Sequence, residues 1–490
     1  MIVNDETELL AGLDLGTTSV SAVAIRRDGG TEHAVTRNHN AAVPGISGGY
    51  AEQDPARILT TARHVLRELA TACRSSRIVC LGMTGQMHST VLLDKSCRPL
   101  TSVITWQDRR AVVESGGSTI LERLLARCSI EALQNTGGRL AAGYLGTTMF
   151  ALQELGQLPD RLHSVSLVAD WVAGQLTEQT PVTDRSHAAS SGLFDFRTDD
   201  WSDELIRATG MSRGMLPDVR ESGVPIGRLS AAAAAETSLP SGIPVCNAIG
   251  DNQAAVLGCL PASADTILIN IGTGGQIVWH ATGFCHHPWL DTRYLPSDRE
   301  LADGEAGRQF MMVGAGLCGG DSLAWINRVI RSWLSVFGVE RTDAEVWDSL
   351  TRQVCGIDAA GLVCEPFFRG TRREPGRRGV FHGITEENFT PGHVALSILR
   401  GIAQSMHEVY TDSGRAVECP VQNVVMSGNG SRRNPLLVEA VRQRFGVPVQ
   451  VARQSEEAAT GAAILAGVRQ GFWESIDTAR RRVQEHGVEP

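Results

Sequence analysis

Two stretches half a chain apart share one local design. "LLAGLDLGTTSVSAVAI" and "ADTILINIGTGGQIVW" each set a polar residue, a glycine and a threonine between two short apolar runs. Short apolar runs joined by a Gly-Thr turn read as strand, tight turn, strand. Aligning Gly16-Thr17 with Gly272-Thr273 sets an offset of 256 residues (272 less 16), about half of the 490-residue chain. A weaker echo links "MTGQ" at 83–86 to "MSGN" at 426–429. An internal duplication is the simplest account: two domains of like architecture, each opening on a β-hairpin. The length agrees, because it exceeds what one hydrophobic core usually supports.

The segments after each hairpin extend the parallel. "DPARILTTARHVLRELATAC" predicts a helix capped by Asp54, with Pro55 in its first position and an apolar stripe of Ile58, Ala62, Val65, Leu66 and Leu69. "RIVCLGMTGQ" predicts a buried strand ending in a glycine loop. In the second half, "GHVALSILRGIAQSMHEVY" predicts a helix and "NVVMSGNG" a strand running into glycines. "SEEAATGAAILAG" predicts a closing helix whose small residues permit close packing. Hairpin, helix, strand is the order of an α/β domain with a mixed sheet.

Composition then removes several classes of function. A net charge of -9 speaks against nonspecific nucleic-acid binding, which needs a basic face. No apolar run reaches the length of a membrane span, and "MIVNDETELL" lacks the basic start of a signal peptide. Eleven scattered cysteines without C-x-x-C spacing suit a reducing cytoplasm, not a disulfide scaffold or zinc site. The one lysine, Lys95, sits in the turn-like "LLDKSCRP". A P-loop needs a lysine within its glycine loop, and a protein kinase needs one on a strand. If the chain handles phosphate, it must therefore use backbone N–H groups, hydroxyls, arginines and a metal.

The two turns offer that chemistry. Glycine lets the backbone approach an anion, consecutive N–H groups form a nest, and threonine adds a hydroxyl donor. Asp14 adds a carboxylate able to hold a hydrated Mg²⁺. Facing each other across a cleft, the turns would grip a polyphosphate; two ordinary hairpins are the plainer alternative. Asp251, in "AIGDNQAAVLG", stands at a strand end near the junction of the halves, placed as a general base or as a simple helix cap. Gln86, Met87 and His88 in "GMTGQMHST", and Trp106 in "ITWQDRR", combine polar planar groups with an aromatic, as sugar sites do. A core histidine and a solvated loop are the alternatives there. "SGNGSRRNP" is a strand-to-helix turn that could lie against an adenosine. "GAGLCG" at 314–319 fits a dinucleotide fingerprint, but a helical "DSLAWINRVIRSWLSVFG" follows with no clear strand after it.

Taken in order, "GLDLGTTS", "TGQMH", "ITWQDRR", "GDNQAA", "INIGTGGQI", "SGNGSRRN" and "EEAATGAAILAG" resemble the FGGY family of carbohydrate kinases, relatives of actin and the heat-shock ATPases. The resemblance implies an α/β chain of two ribonuclease-H-like domains, with mixed sheets flanked by helices and a cleft between them. Residues 1–257 would carry the sugar, and 258–490 the ATP. It implies Asp251 as catalytic base and Asp14 as the acid near Mg²⁺. Thr17, Thr18, Gly272 and Thr273 would grip phosphate. Gly314, Gly428, Asn429, Gly430 and Asn434 would face the nucleotide. Gln86, Met87, His88, Trp106 and Asn252 would face the sugar. ATP and a small-molecule sugar are the implied partners, with no nucleic acid or membrane and with a homodimer allowed.

Within the family, "TGQMH" and "ITWQD" are most similar to the kinases of sedoheptulose, and "QMH" is also similar to those of xylulose. Glycerol kinases usually carry Arg-Glu where "QMH" stands. "GNGSRRN" has one residue more than the family's frequent "GGGSRN", which leaves the register of Arg432 to Asn434 open. The arginine-rich 369–378 segment, with Arg369, Arg372, Arg373, Arg377 and Arg378, reads as a solvated loop or a phosphate or partner contact. The competing class is an ATP-driven switch, chaperone-like or actin-like, which would not need the "TGQMH" and "ITWQDRR" pocket.

Overall fold

The computed structural model describes residues 7–486 apart from 47, 116, 139, 262, 282, 299, 301–306, 372, 373, 375 and 416–418. Thr7–Leu15 pairs antiparallel with Ser19–Arg26, which pairs antiparallel with Thr31–Asn38. On its other side Thr7–Leu15 runs parallel to Ser76–Gly85. Pro244–Cys246 and Pro225–Arg228 extend the sheet beyond that strand, and Ile249–Gly250 joins its far end. Leu9, Leu10, Ala11 and Leu13 are all fully buried, because layers cover both faces and the strand has no solvent side. Helix Pro55–Ala72 forms as its sequence predicts. Asp54 accepts from the Ala56 and Arg57 N–H groups, and the buried side chains are Ile58, Ala62, Val65, Leu66 and Leu69. Burial of each Ile, Val or Leu among them contributes roughly 1.5–3 kcal/mol.

The second sheet repeats this plan. Thr266–Ile271 pairs antiparallel with Gly275–Ala281 and parallel with Asn423–Ser427, beyond which Val449–Val451 runs parallel. Helix Pro391–Asp412 precedes its parallel strand as Pro55–Ala72 precedes Ser76–Gly85. The duplication is therefore one of topology. Gly314 lies inside the strand Gln309–Leu317, which is antiparallel to both neighbours, Gly275–Ala281 and Asp291–Leu295. That is a meander and has no βαβ crossover.

The two lobes share a layer. Helix Glu457–Arg469 comes from the second half of the chain but lies on the first sheet. A Cβ at Gly12 would stand 1.9 Å from the Ala459 carbonyl oxygen, and one at Gly82 would stand 2.2 Å from that of Ala462. The same helix crosses Asp251–Cys259 so closely that a Cβ at Gly461 would fall 1.8 Å from the Ala254 oxygen. Its small residues are thus a contact surface. Leu10 and Cys80 of the first sheet join Leu268 and Val278 of the second in one apolar cluster around it. The expected division at 257/258 falls within Asp251–Cys259. Among the described residues no helix is long and apolar enough to cross a membrane.

Candidate active site

The strands leading into the two Gly-Thr turns approach one end of helix Glu457–Arg469. Gly12 touches its body, and Asp14 lies one residue pair further along the strand. From the other lobe, the Gly428 N–H donates to Glu457 Oε1 at 3.1 Å, and the Arg432 guanidinium donates to the same oxygen at 2.5 Å. Gly428 and Gly430 in turn abut the Ile271 carbonyl, one residue before Gly272. A Cβ at Gly272 would meet nothing within 4 Å, so this turn faces open space.

Asp14 is an acid in an acidic setting. Its Oδ1 is buried without a hydrogen-bond partner. Burial, then Asp251, Glu456 and Glu457, push its carboxyl well above the usual carboxylate range. A hydrated divalent cation would relieve both conditions, so the residues present fit Mg²⁺ in its usual role beside a polyphosphate.

Asp251 opens helix Asp251–Cys259 directly after strand Ile249–Gly250. Burial raises its carboxyl, while the Asn252 N–H, His187 and Arg293 pull it back. The Asn252 N–H donates to Asp251 Oδ1 at 2.8 Å, and Asn252 Nδ2 donates to Gln276 Oε1 at 2.5 Å. Gln276 follows the second turn on strand Gly275–Ala281, so one hydrogen bond ties the carboxylate's helix to that hairpin.

Beside this helix is a small cavity. Met87, His88, Tyr144 and Ser186 line it from the first lobe, and Gln253 from the helix. Asp291 and Arg293, an ion pair at 2.9 Å, line it from the second lobe. His88 stacks on Tyr144 with ring centroids 4.0 Å apart, and its Nδ1 is 2.6 Å from the Ser190 carbonyl oxygen. Arg293 reaches across the lobes to Met87 Sδ at 3.4 Å. The cavity volume is about 30 Å³, room for about two waters.

Residues 9–258 match the N-terminal domain of the FGGY family of carbohydrate kinases, and residues 281–469 match its C-terminal domain. The chain belongs to the FGGY family of carbohydrate kinases. Human sedoheptulokinase is 28% identical over 93% of this chain and 96% of its own. Glycerol kinase of Bordetella parapertussis is also 28% identical, over 96% of this chain and 90% of its own. Xylulose kinase from Rhodospirillum rubrum superimposes with a TM-score of 0.82 at 25% identity, over 96% of this chain and 92% of that one.

In this FGGY kinase the expected site residues separate into groups. Met87 and His88 reach the cavity, whereas Gln86 and Trp106 do not line it. Gln86 is buried and donates to Gln53 Oε1 at 3.0 Å, and Gln53 Nε2 donates to the Thr17 carbonyl at 2.6 Å. The Trp106 indole N–H donates to Thr17 Oγ1 at 3.0 Å, with the ring 46% exposed. Both therefore brace the first turn. Thr18 is exposed at the tip of that turn.

Gly314 sits away from the second turn, packed against Val409, Ile277 and Leu290. The glycines that meet the turn are Gly319, whose Cβ would clash with Gly274, and Gly320, whose N–H donates to the Gly272 carbonyl at 3.0 Å. Thr273 is held by the Asp321 N–H at 2.9 Å. Asn429 and Gly430 form a short helical turn, 429–432, and Asn434 caps helix Pro435–Phe445 by accepting from the Leu437 N–H.

Sequence reasoning missed Tyr144, Ser186, Gln253, Asp291 and Arg293. Only Gln253 lies inside a recognised motif; the others come from segments with no local signature. In the arginine-rich segment, Arg377 pairs with Glu365 at 2.9 Å over the Phe367 ring, and Arg369 stands 3.6 Å from Asp321. Arg372 and Arg373 lie outside the described residues.

Proposed function

We propose that this FGGY kinase transfers the γ-phosphoryl group of ATP to a ketose, sedoheptulose first and xylulose second. The carrying observation is the cavity beside Asp251. Its polar groups come from both lobes: His88, Ser186 and Gln253 on one side, the Asp291–Arg293 pair on the other. A three-carbon acceptor reaches little of this two-sided polar lining, and a site built to hydrogen-bond a longer chain discriminates against the shorter one. A long polyhydroxylated chain can exchange hydrogen bonds with both sides. The human sedoheptulokinase and the R. rubrum xylulose kinase support the same direction, while the equally similar glycerol kinase makes glycerol the control.

Asp251 would accept the proton of the attacking hydroxyl. The turns at 16–18 and 272–274 would cradle the phosphates through their N–H groups and the hydroxyls of Thr17, Thr18 and Thr273. Asp14 would hold a hydrated Mg²⁺, which supplies positive charge to the phosphate chain. Gly428, Asn429 and Gly430, with Gly319 and Gly320, would border the nucleotide. Closure of the lobes would exclude water from the transfer.

The test is ADP formation with a panel of acceptors from three to seven carbons. Sedoheptulose should give the highest kcat/KM and glycerol a value at least about 10²-fold lower; glycerol as the best acceptor would overturn the reading. ATP hydrolysis indifferent to every sugar but altered by a protein partner would favour the switch class instead.

Two substitutions separate the subsites. Thr273→Val should raise KM for ATP about tenfold, the worth of one hydrogen bond to a charged group, and leave KM for sugar unchanged. His88 has a left-handed backbone, φ 68, which asparagine tolerates. His88→Asn should therefore remove the Tyr144 stack without strain, and raise KM for sugar more than KM for ATP. Steady-state kinetics with each substrate varied reads both.

A further inference from the structure

Behind the Asp251 cavity lies a charged group that none of the roles above uses. His187, in helix Arg185–Ser190, is fully buried. Its Nδ1 is 3.0 Å from Asp170 Oδ1, and its Nε2 is buried with no hydrogen-bond partner. Asp170 is held from its other oxygen by Thr183 Oγ1 at 2.7 Å. The same helix is tied to the approach of Asp251: Ser186 Oγ accepts from the Gly250 N–H at 2.8 Å and donates to Asp184 at 2.7 Å. Asp184 also takes the Ser222 hydroxyl and the His187 N–H.

We propose that the buried Asp170–His187 pair is a positioning element for Asp251: it anchors the short helix whose Ser186 holds the strand end at Gly250, and it sets a counter-charge behind the carboxylate. The proposal rests on the reading of Asp251 as the base.

The charges around the ring argue for the imidazolium. Burial alone would favour the neutral ring; Asp170, Asp184 and Asp251 outweigh it and push His187 up to about 9. Burial leaves the Asp170 carboxyl raised on balance, although the charge of His187 and hydrogen bonds from His187 and Thr183 counter it, and both its oxygens already have partners. From strand Asp291–Leu295, packed against this helix, Arg293 also acts on Asp251, with Asp291 as its counter-charge. Arg185, the remaining cation of the helix, is paired to Asp199 and Glu300, close to the Tyr294 hydroxyl. With Arg185 so engaged, His187 and Arg293 are the cations that offset the burial of Asp251, while the neighbouring carboxylate of Asp14 opposes them. A burial-raised carboxylate would otherwise bind its own proton before it could take the substrate's.

The experiment is a pH profile of kcat for the full-length enzyme, with wild type, His187→Asn and Asp251→Asn, alongside NMR titration of ¹³Cε1-labelled histidine. Wild-type His187, identified by its loss in His187→Asn, should titrate near 9. His187→Asn should shift the acidic limb of kcat upward by about one pH unit, a tenfold loss below the limb, with KM for ATP unchanged. Asp170→Asn keeps the volume and should bring the imidazole's titration down from that of the wild type, since its largest raising partner is gone. An unmoved acidic limb with an inactive Asp251→Asn enzyme, or a His187 that titrates at or below the ordinary range, overturns the proposal. An active Asp251→Asn enzyme overturns the base reading on which it rests. If His187→Asn fails to fold by circular dichroism, the Asp170→Asn profile and the wild-type titration decide.

Discussion

Asp251→Asn should lower kcat by about 10³-fold while the dissociation constants for sugar and ATP stay within about threefold, because general-base transfer contributes about 10²–10⁴. The substitution preserves shape and its first helical turn. The Asn252 N–H that now meets Asp251 Oδ1 at 2.8 Å can meet an amide oxygen instead. What disappears is the negative charge and, with it, the ability to take a proton. Calorimetric binding of sugar and ATP, beside single-turnover kinetics, separates the two effects. Activity within tenfold of wild type would remove Asp251 as base. Loss of sugar binding in step with kcat would make it a ligand of the acceptor instead.

Gly461→Val should destabilise the fold by at least about 3 kcal/mol, at the upper end of overpacking costs. The reason is backbone against backbone. The new Cβ would lie 1.8 Å from the Ala254 carbonyl oxygen, and a main-chain atom has no rotamer through which to yield. Helices Glu457–Arg469 and Asp251–Cys259 would have to move apart, taking Asp251 with them, so activity should fall with stability. Gly214→Ala is the control, since its Cβ meets nothing within 4 Å and its cost should stay within about 0.5 kcal/mol. Urea denaturation read by fluorescence gives both values. A Gly461→Val protein as stable as wild type would mean these helices do not touch at this point.

That close crossing also explains why the second lobe is hard to delimit from sequence. "EEAATGAAILAG" announces a helix that packs tightly, but its partners are two strands and a helix roughly two hundred or more residues away. Likewise, the polar character of Gln86 and Trp106 is visible in their motifs, but not its object. Both turned out to support Thr17, Gln86 through Gln53 and Trp106 directly. The glycine of "GAGLCG" that matters to the second turn is not its first, Gly314, but the last, Gly319, with Gly320 after it. Which glycine a strand carries to a turn depends on where the strand ends, and Gln309–Leu317 runs past Gly314 and Gly316 before ending at Leu317.

Local rules were sufficient for the hairpins, the Asp54-capped helix, the duplicated order of elements and the exclusion of a lysine-based phosphate loop. Each depends on residues within a few positions of one another, or on a count. The second wall of the small cavity and the imidazole of His187 were decided by the tertiary structure alone. Arg293, paired to Asp291, meets Met87 across the lobes, and His187 meets Asp170 and the charge of Asp251 through three separate segments. Electrostatics and steric contact act through space, so the worth of such a side chain is set by neighbours that its own stretch of chain does not contain.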